Sequence, residues 1–140
     1  MSATPKDGEL YAGSHKLGVN RVTDMARTGN VTFTNRAGSV VLEGRVARGE
    51  HWLELSGIVE PKGPKQFVLT GVMRGVPDMA WAGEPLRERR TEGRFSFEVK
   101  HGRPYWRLYE VNDRPCVCDD GCGNDFCYVD IELAPSAPAD

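Results

Sequence analysis

The stretch "SVVLEGRVARGEHWLELSGIVEPKGPKQFVLTGVM", residues 39–73, decides the fold. Its frame recurs three times: "LEGRV" (42–46), "LSGIV" (55–59) and "LTGVM" (69–73), spaced 13 and 14 residues apart. Each copy sits in a short apolar-rich run, and the runs are separated by "ARGE" and "EPKGPK". Gly- and Pro-rich turns between runs of this length specify consecutive antiparallel strands. The repeat is too short and degenerate for a solenoid. Gly44, Gly57 and Gly71 fall mid-strand, where glycine weakens a strand unless the backbone needs it. Three reasons compete: a bend that helps a barrel close, relief of crowding beside an aromatic, or room for a ligand in a barrel interior.

Working outward, "VTFT" (31–34), "RFSFEVK" (94–100), "YWRLYEV" (105–111) and "YVDIEL" (128–133) also read as strands. Phe95, Phe97 and Val99 alternate with Ser96 and Glu98, and Val129, Ile131 and Leu133 alternate with Tyr128, Asp130 and Glu132. Helical periodicity is scarce. The expected fold is therefore all-β, an antiparallel meander of about seven or eight strands. A small barrel of lipocalin-like architecture is favoured over a two-sheet sandwich. At 140 residues the chain makes one domain. We place it at residues 9–133, between flexible Pro/Ala/Ser-rich tails at 1–8 and 134–140. Residues 75–93 are the longest internal stretch without a strand pattern.

Composition removes several function classes. No run approaches a membrane span, and "MSATPKDGEL" does not read as a signal peptide. Residues 1–111 hold 17 Lys/Arg and 13 Asp/Glu, whereas residues 112–140 hold one Arg and seven acids. The acidic excess thus belongs to the C-terminal part, which argues against nucleic acid as a partner there. "RERRTEGR" (87–94) is interrupted by acids and reads as a solvated loop. None of the common nucleophile, zinc-protease or nucleotide motifs occurs. His15, His51 and His101 are scattered and read as surface or strand-end residues.

The chemically distinctive segment is "NDRPCVCDDGCGNDFC", residues 112–127, which holds all four cysteines. It reads as a long hairpin loop between "YWRLYEV" and "YVDIEL". Pairing Val111 with Tyr128 sets Trp106 opposite Leu133, Leu108 opposite Ile131, Arg107 opposite Glu132 and Tyr109 opposite Asp130. Glu110 is the misfit, because strict alternation puts it on the apolar face. Cys116, Cys118, Cys122 and Cys127 brace this loop, either as two disulfides or as four thiolates on zinc. Disulfides are favoured, because Asp119, Asp120 and Asp125 disfavour thiolates and would add to an already anionic zinc site. Calcium on those acids and Asn124 is a weaker reading, since the EF-hand spacing is absent. No cofactor is required. Disulfides would imply a secreted or periplasmic protein, and zinc a cytoplasmic one.

Trp52 and Trp106 read as core residues on strands, and Trp81 lies in the irregular segment. With Arg107, Tyr109 and Glu110 they form the candidate ligand-binding set. The leading functional expectation is a non-enzymatic binding or interaction module. It would present the acidic loop to a protein partner or hold a small apolar ligand. The alternatives are a small barrel enzyme with interior polar residues, a structural zinc-binding protein, and a subunit that pairs edge strands.

Overall fold

A computed structural model describes residues 11–78, 83, 86–117, 124 and 126–135. The described elements are β1 (Gly13–Val19), a one-turn helix α1 (Asn20–Thr23), β2 (Gly29–Arg36), β3 (Ser39–Arg48), β4 (His51–Pro61) and β5 (Gln66–Val76). They continue with β6 (Arg89–Glu98), β7 (Tyr105–Val111), the two-residue β8 (Arg114–Pro115) and β9 (Val129–Pro135). Strands β1 to β7 pair in chain order, β7 pairs with β9, and β9 returns to β1. All these pairings are antiparallel. The fold is a closed eight-stranded up-and-down barrel, with β8 as an extra strand on β7. Closure gives every strand of the ring two neighbours, so the ring leaves no long free edge.

Eight strands enclose a space just wide enough for side chains to fill. The alternating inward positions do so: Leu53, Leu55 and Val59 from β4, Phe67, Leu69 and Met73 from β5, and Phe95 and Phe97 from β6 are all buried. Trp106 lies at the centre, stacked on Tyr11 at 5.5 Å and edge-on to Phe67 at 5.3 Å. Tyr11 precedes β1 and closes one end of the barrel. Its hydroxyl donates to the Gly63 carbonyl at 2.7 Å, across to the β4–β5 turn. Such ring pairs add about 0.5–1.5 kcal/mol each beyond their burial.

The mid-strand glycines serve the backbone. Gly57, Gly71 and Gly93 stand side by side in register across β4, β5 and β6. A Cβ on Gly71 would run into the Ser56 carbonyl and come within 2.7 Å of the Gly57 Cα. The strands coil here so tightly that neighbouring backbones meet, and only glycine leaves the space. Gly44 differs: its added Cβ would meet a methyl of Val31 at 2.6 Å.

Several expectations change. The segment "GSHKLGV" carries no strand pattern, yet it is β1. Its His15 is fully buried, against the expected surface position. The β1–β9 ladder slips between His15 and Leu17, and there the Glu132 carbonyl accepts from His15 Nδ1 at 2.8 Å. A carbonyl only accepts, so Nδ1 is the donor in this contact. "RERRTEGR" is no loop, because β6 begins at Arg89 and β5 runs to Val76, which shrinks the irregular segment. Arg90 pairs with Glu92, and Arg94 with Asp113, so its charges are answered locally.

The β7–β9 register is displaced by two residues from the expected one. Trp106 faces Ile131, and Arg107 faces Asp130. A shift of two keeps each side chain on its expected face. The Glu110 misfit has a local cause. Against β6, Leu108 pairs with Phe97 and Glu110 with Ser96, which leaves Tyr109 as the extra residue of a bulge. The bulge resets the alternation, so Leu108 and Val111 both reach the core while Glu110 lies beside Ser96.

The glycine row makes a sharp prediction. Gly71→Ala must push one strand off its neighbour and should lower stability by about 1–3 kcal/mol, the cost typical of overpacking. Gly38→Ala, in an open turn, carries only the smaller left-handed backbone penalty. Urea unfolding of the two variants separates the effects; equal losses would contradict the backbone-contact reading.

Candidate functional site

The two ends of the barrel differ. At the Tyr11 end the connections are Ala37–Gly38, residues 62–65 and residues 99–104. At the other end run residues 20–28, the two-residue turn Gly49–Glu50, residues 77–88, and the passage from β7 to β9 that carries the cysteines. Function concentrates in long connections held on a rigid frame, so this second end is the candidate site.

It contains a cleft of about 980 Å³ between α1, the β3–β4 turn and the start of the 77–88 segment. Arg21, Asp24, Arg48, Glu50, His51 and Asp78 line it. Asp78 N–H donates to the Arg21 carbonyl at 2.7 Å, tying the 77–88 segment to α1. His51 Nε2 lies 3.9 Å from Asp78 Oδ2. Both charge signs are present, and the lining suits a polar, hydrogen-bonding partner better than an apolar one.

The passage from β7 to β9 is more structured than one sixteen-residue loop. Asn112 and Asp113 both have left-handed φ, 52° and 65°, as a tight hairpin turn requires. β8 then pairs with the end of β7, and Cys116 N–H continues this ladder by donating to the Tyr109 carbonyl at 2.8 Å. Cys116 is fully buried in the core. On the return, Phe126 and Tyr128 carbonyls accept from Arg21 and Asn20 N–H, which clasps α1.

A buried amide holds the neck. Asn124 is 1% exposed, and its Nδ2 donates to the Val117 carbonyl at 2.7 Å and the Cys127 carbonyl at 2.9 Å. The Cys116 carbonyl lies 3.4 Å from the same nitrogen, while Asn124 Oδ1 accepts from Phe126 N–H at 3.2 Å. Nothing in the sequence singled out Asn124 as a brace. Among the described residues there is no free cysteine and no cluster of three metal-ligating side chains. Cys118, Cys122, Asp119, Asp120, Asp125 and Trp81 lie outside the described residues.

The described members of the expected ligand set do not converge on one site. Trp106 is inside the barrel. Trp52 is not core: it points outward and is half-buried, beneath the guanidinium groups of Arg45 and Arg74. Tyr109 and Glu110 sit at the β7 bulge, where Lys100 Nζ lies 4.1 Å from the Tyr109 ring. Arg107 lies on the outer face and grips Asp130 with two bonds of 2.8 Å. The Asp130 carboxylate is fully buried, and Arg107 also stacks on Tyr128 at 4.0 Å. The hydrogen bond to Asp130 holds the Arg107 guanidinium above its ordinary range, against the opposing effect of burial. Arg107 is thus committed to a structural pair, whose partner the sequence register had missed by two residues.

Fold and site together define a side-chain-filled, up-and-down β-barrel with its elaborated connections at one end. Residues 5–132 match the PM1083 family, and the chain belongs to that family. No curated protein and no solved structure matches the chain.

Two braces can be compared by mutation. Arg107→Ala leaves a buried carboxylate unpaired and should cost about 3–5 kcal/mol. Arg107→Lys should restore only part, because an ammonium cannot copy the two-pronged contact. Asn124→Ala strands buried carbonyls and should cost about 1–3 kcal/mol. Chemical denaturation measures all three; an Arg107→Ala loss within error of zero would contradict the buried-pair assignment.

Proposed function

We propose that the protein is a non-enzymatic interaction module, with its partner-binding face at the cysteine-loop end of the barrel. The observation that carries this reading is the asymmetry of the ends. Short turns and Tyr11 close one end, and long connections around a charged cleft form the other. The filled interior favours a protein partner over a small apolar ligand held inside. An enzyme reading based on interior polar residues has less support, since Arg107 and Glu110 lie on the outer face.

Within this proposal the cysteines form two disulfides that stiffen the binding face, and the protein works in an oxidising compartment. The acidic neighbours and the lack of a free thiol at Cys116 and Cys127 support that pairing over a zinc site.

Site-specific photocrosslinking in the source cell tests the binding face. A benzophenone side chain at Arg48 or Glu50 should capture a discrete partner protein, and the same group at Ala37 or Lys62 should not. Capture from the opposite end only, or equally from both, would overturn the assignment. Intact mass without reductant tests the brace. The expected result is a loss of about four hydrogens relative to the reduced chain; a zinc adduct seen only under native conditions would replace disulfides with metal.

A further inference from the structure

The outer wall carries a second concavity, separate from the end cleft. It is a groove of about 500 Å³ across β2 to β5. Two successive outward rows build it. The first runs Asn30, Arg45, Glu54, Arg74, and the second Thr32, Glu43, Ser56, Val72, each in register across the four strands.

Charge in the groove is largely spent within it. Glu54 takes both Arg45 and Arg74, the latter at 2.8 and 3.1 Å, and Arg74 also meets Glu88 at 3.6 Å. Such a ladder presents little net field to an anion. What remains is hydrogen-bonding capacity of both kinds. Among the described residues, the Asn30 amide, the Glu43 carboxylate and the Ser56 hydroxyl make no side-chain hydrogen bond, and all three line the groove. Val72 adds apolar surface to the lining. At the rim the Arg45 and Arg74 guanidinium carbons lie 5.2 and 5.3 Å from the Trp52 ring, so a contact in the groove is felt at that indole.

A pre-formed concavity with a few converging polar groups is the general form of a small-ligand site. Donors and acceptors beside an apolar contact at Val72, with Arg45, Arg74 and Glu54 answering one another and only Glu43 left over as an acceptor, match a neutral molecule rich in hydroxyls and C–H faces. We infer that this groove binds a neutral oligosaccharide, through Asn30, Glu43 and Ser56. The assignment does not depend on the end-face reading, because no groove residue lines the end cleft.

Titration of the full nitrogen-labelled chain with cellotriose, maltotriose and chitotriose in separate arms tests it, with triglycine as a fourth. For at least one sugar, the Asn30 side-chain amide and the Trp52 indole N–H should shift and saturate with a Kd of about 1 mM. Ser56→Trp fills the groove from an exposed position and should weaken that binding by about tenfold or more, a change of roughly 1.4 kcal/mol or more. Glu43→Gln should weaken it as well, with the remaining spectrum unchanged as evidence of an intact barrel. The inference is overturned by any of four results. No sugar gives saturable shifts at Asn30 and Trp52; the shifts persist unchanged in Ser56→Trp; or triglycine alone produces them. Shifts confined to Arg48, His51 and Asp78 would also overturn it, by assigning sugar binding to the end cleft.

Discussion

Strand β7 has to satisfy two neighbours that demand different registers. β6 runs along one side of it for most of its length. On the other side β9 pairs only through Arg107, and β8 takes over from Glu110. The bulge at Tyr109 reconciles the two sides, turning Leu108 and Val111 into the core and leaving Glu110 outside. Ring closure depends on this arrangement. Without the β6–β7 and β7–β9 ladders the meander would be an open sheet with two free edges. The Arg107–Asp130 pair bridges β7 and β9 at the last residue pair before β9 diverges. A strong, geometrically exacting contact therefore sits where the ladder has least other support.

The fold class was legible because its signals are local and repeated. The Leu-x-Gly-x-apolar frame and the short turns between copies named three consecutive strands, and clean alternation named two more. What escaped is non-local. β1 carries lysine, histidine and two glycines in seven residues, and becomes a strand only because β2 and β9 flank it on both sides. Its His15 looks like a surface residue until the slipped β1–β9 ladder supplies a carbonyl for its ring. The bulge left a trace in the sequence, since Glu110 broke the alternation. A single misplaced acid cannot say whether the register, the strand or the residue is exceptional.

The site was less legible than the fold. The cysteine cluster lies at the end of the barrel that carries the candidate site, but the groups that shape the described part of that end are ordinary polar residues. Asn124 braces the neck through three backbone carbonyls and one backbone N–H, contacts that leave no pattern in a sequence. Arg21 in α1, Arg48 and His51 at the strand ends beside the β3–β4 turn, and Asp78 after β5 are distant in sequence and line one cleft only in the fold. The tryptophans misled for a related reason. Outward and inward positions on a barrel wall differ by one residue in phase, and Trp52 and Trp106 have opposite phases. Large apolar surface alone therefore could not place Trp52 on the outside, where guanidinium groups cover its ring.

The seam between β1 and β9 joins the first strand of the barrel to the last. During synthesis β1 emerges before the other barrel strands and then waits for every strand between it and β9 before its second neighbour exists. Until then Leu17 and Val19 lack their partners on β9, and the growing sheet has an exposed edge. Contacts this distant in sequence slow folding and lengthen the interval in which unpaired edges can find one another. The polar outer positions of β1, Ser14 and Lys16, and the early turn of α1 limit the length of edge on offer during that wait. The architecture that leaves the finished barrel without a long free edge thus makes its unfinished form the vulnerable one.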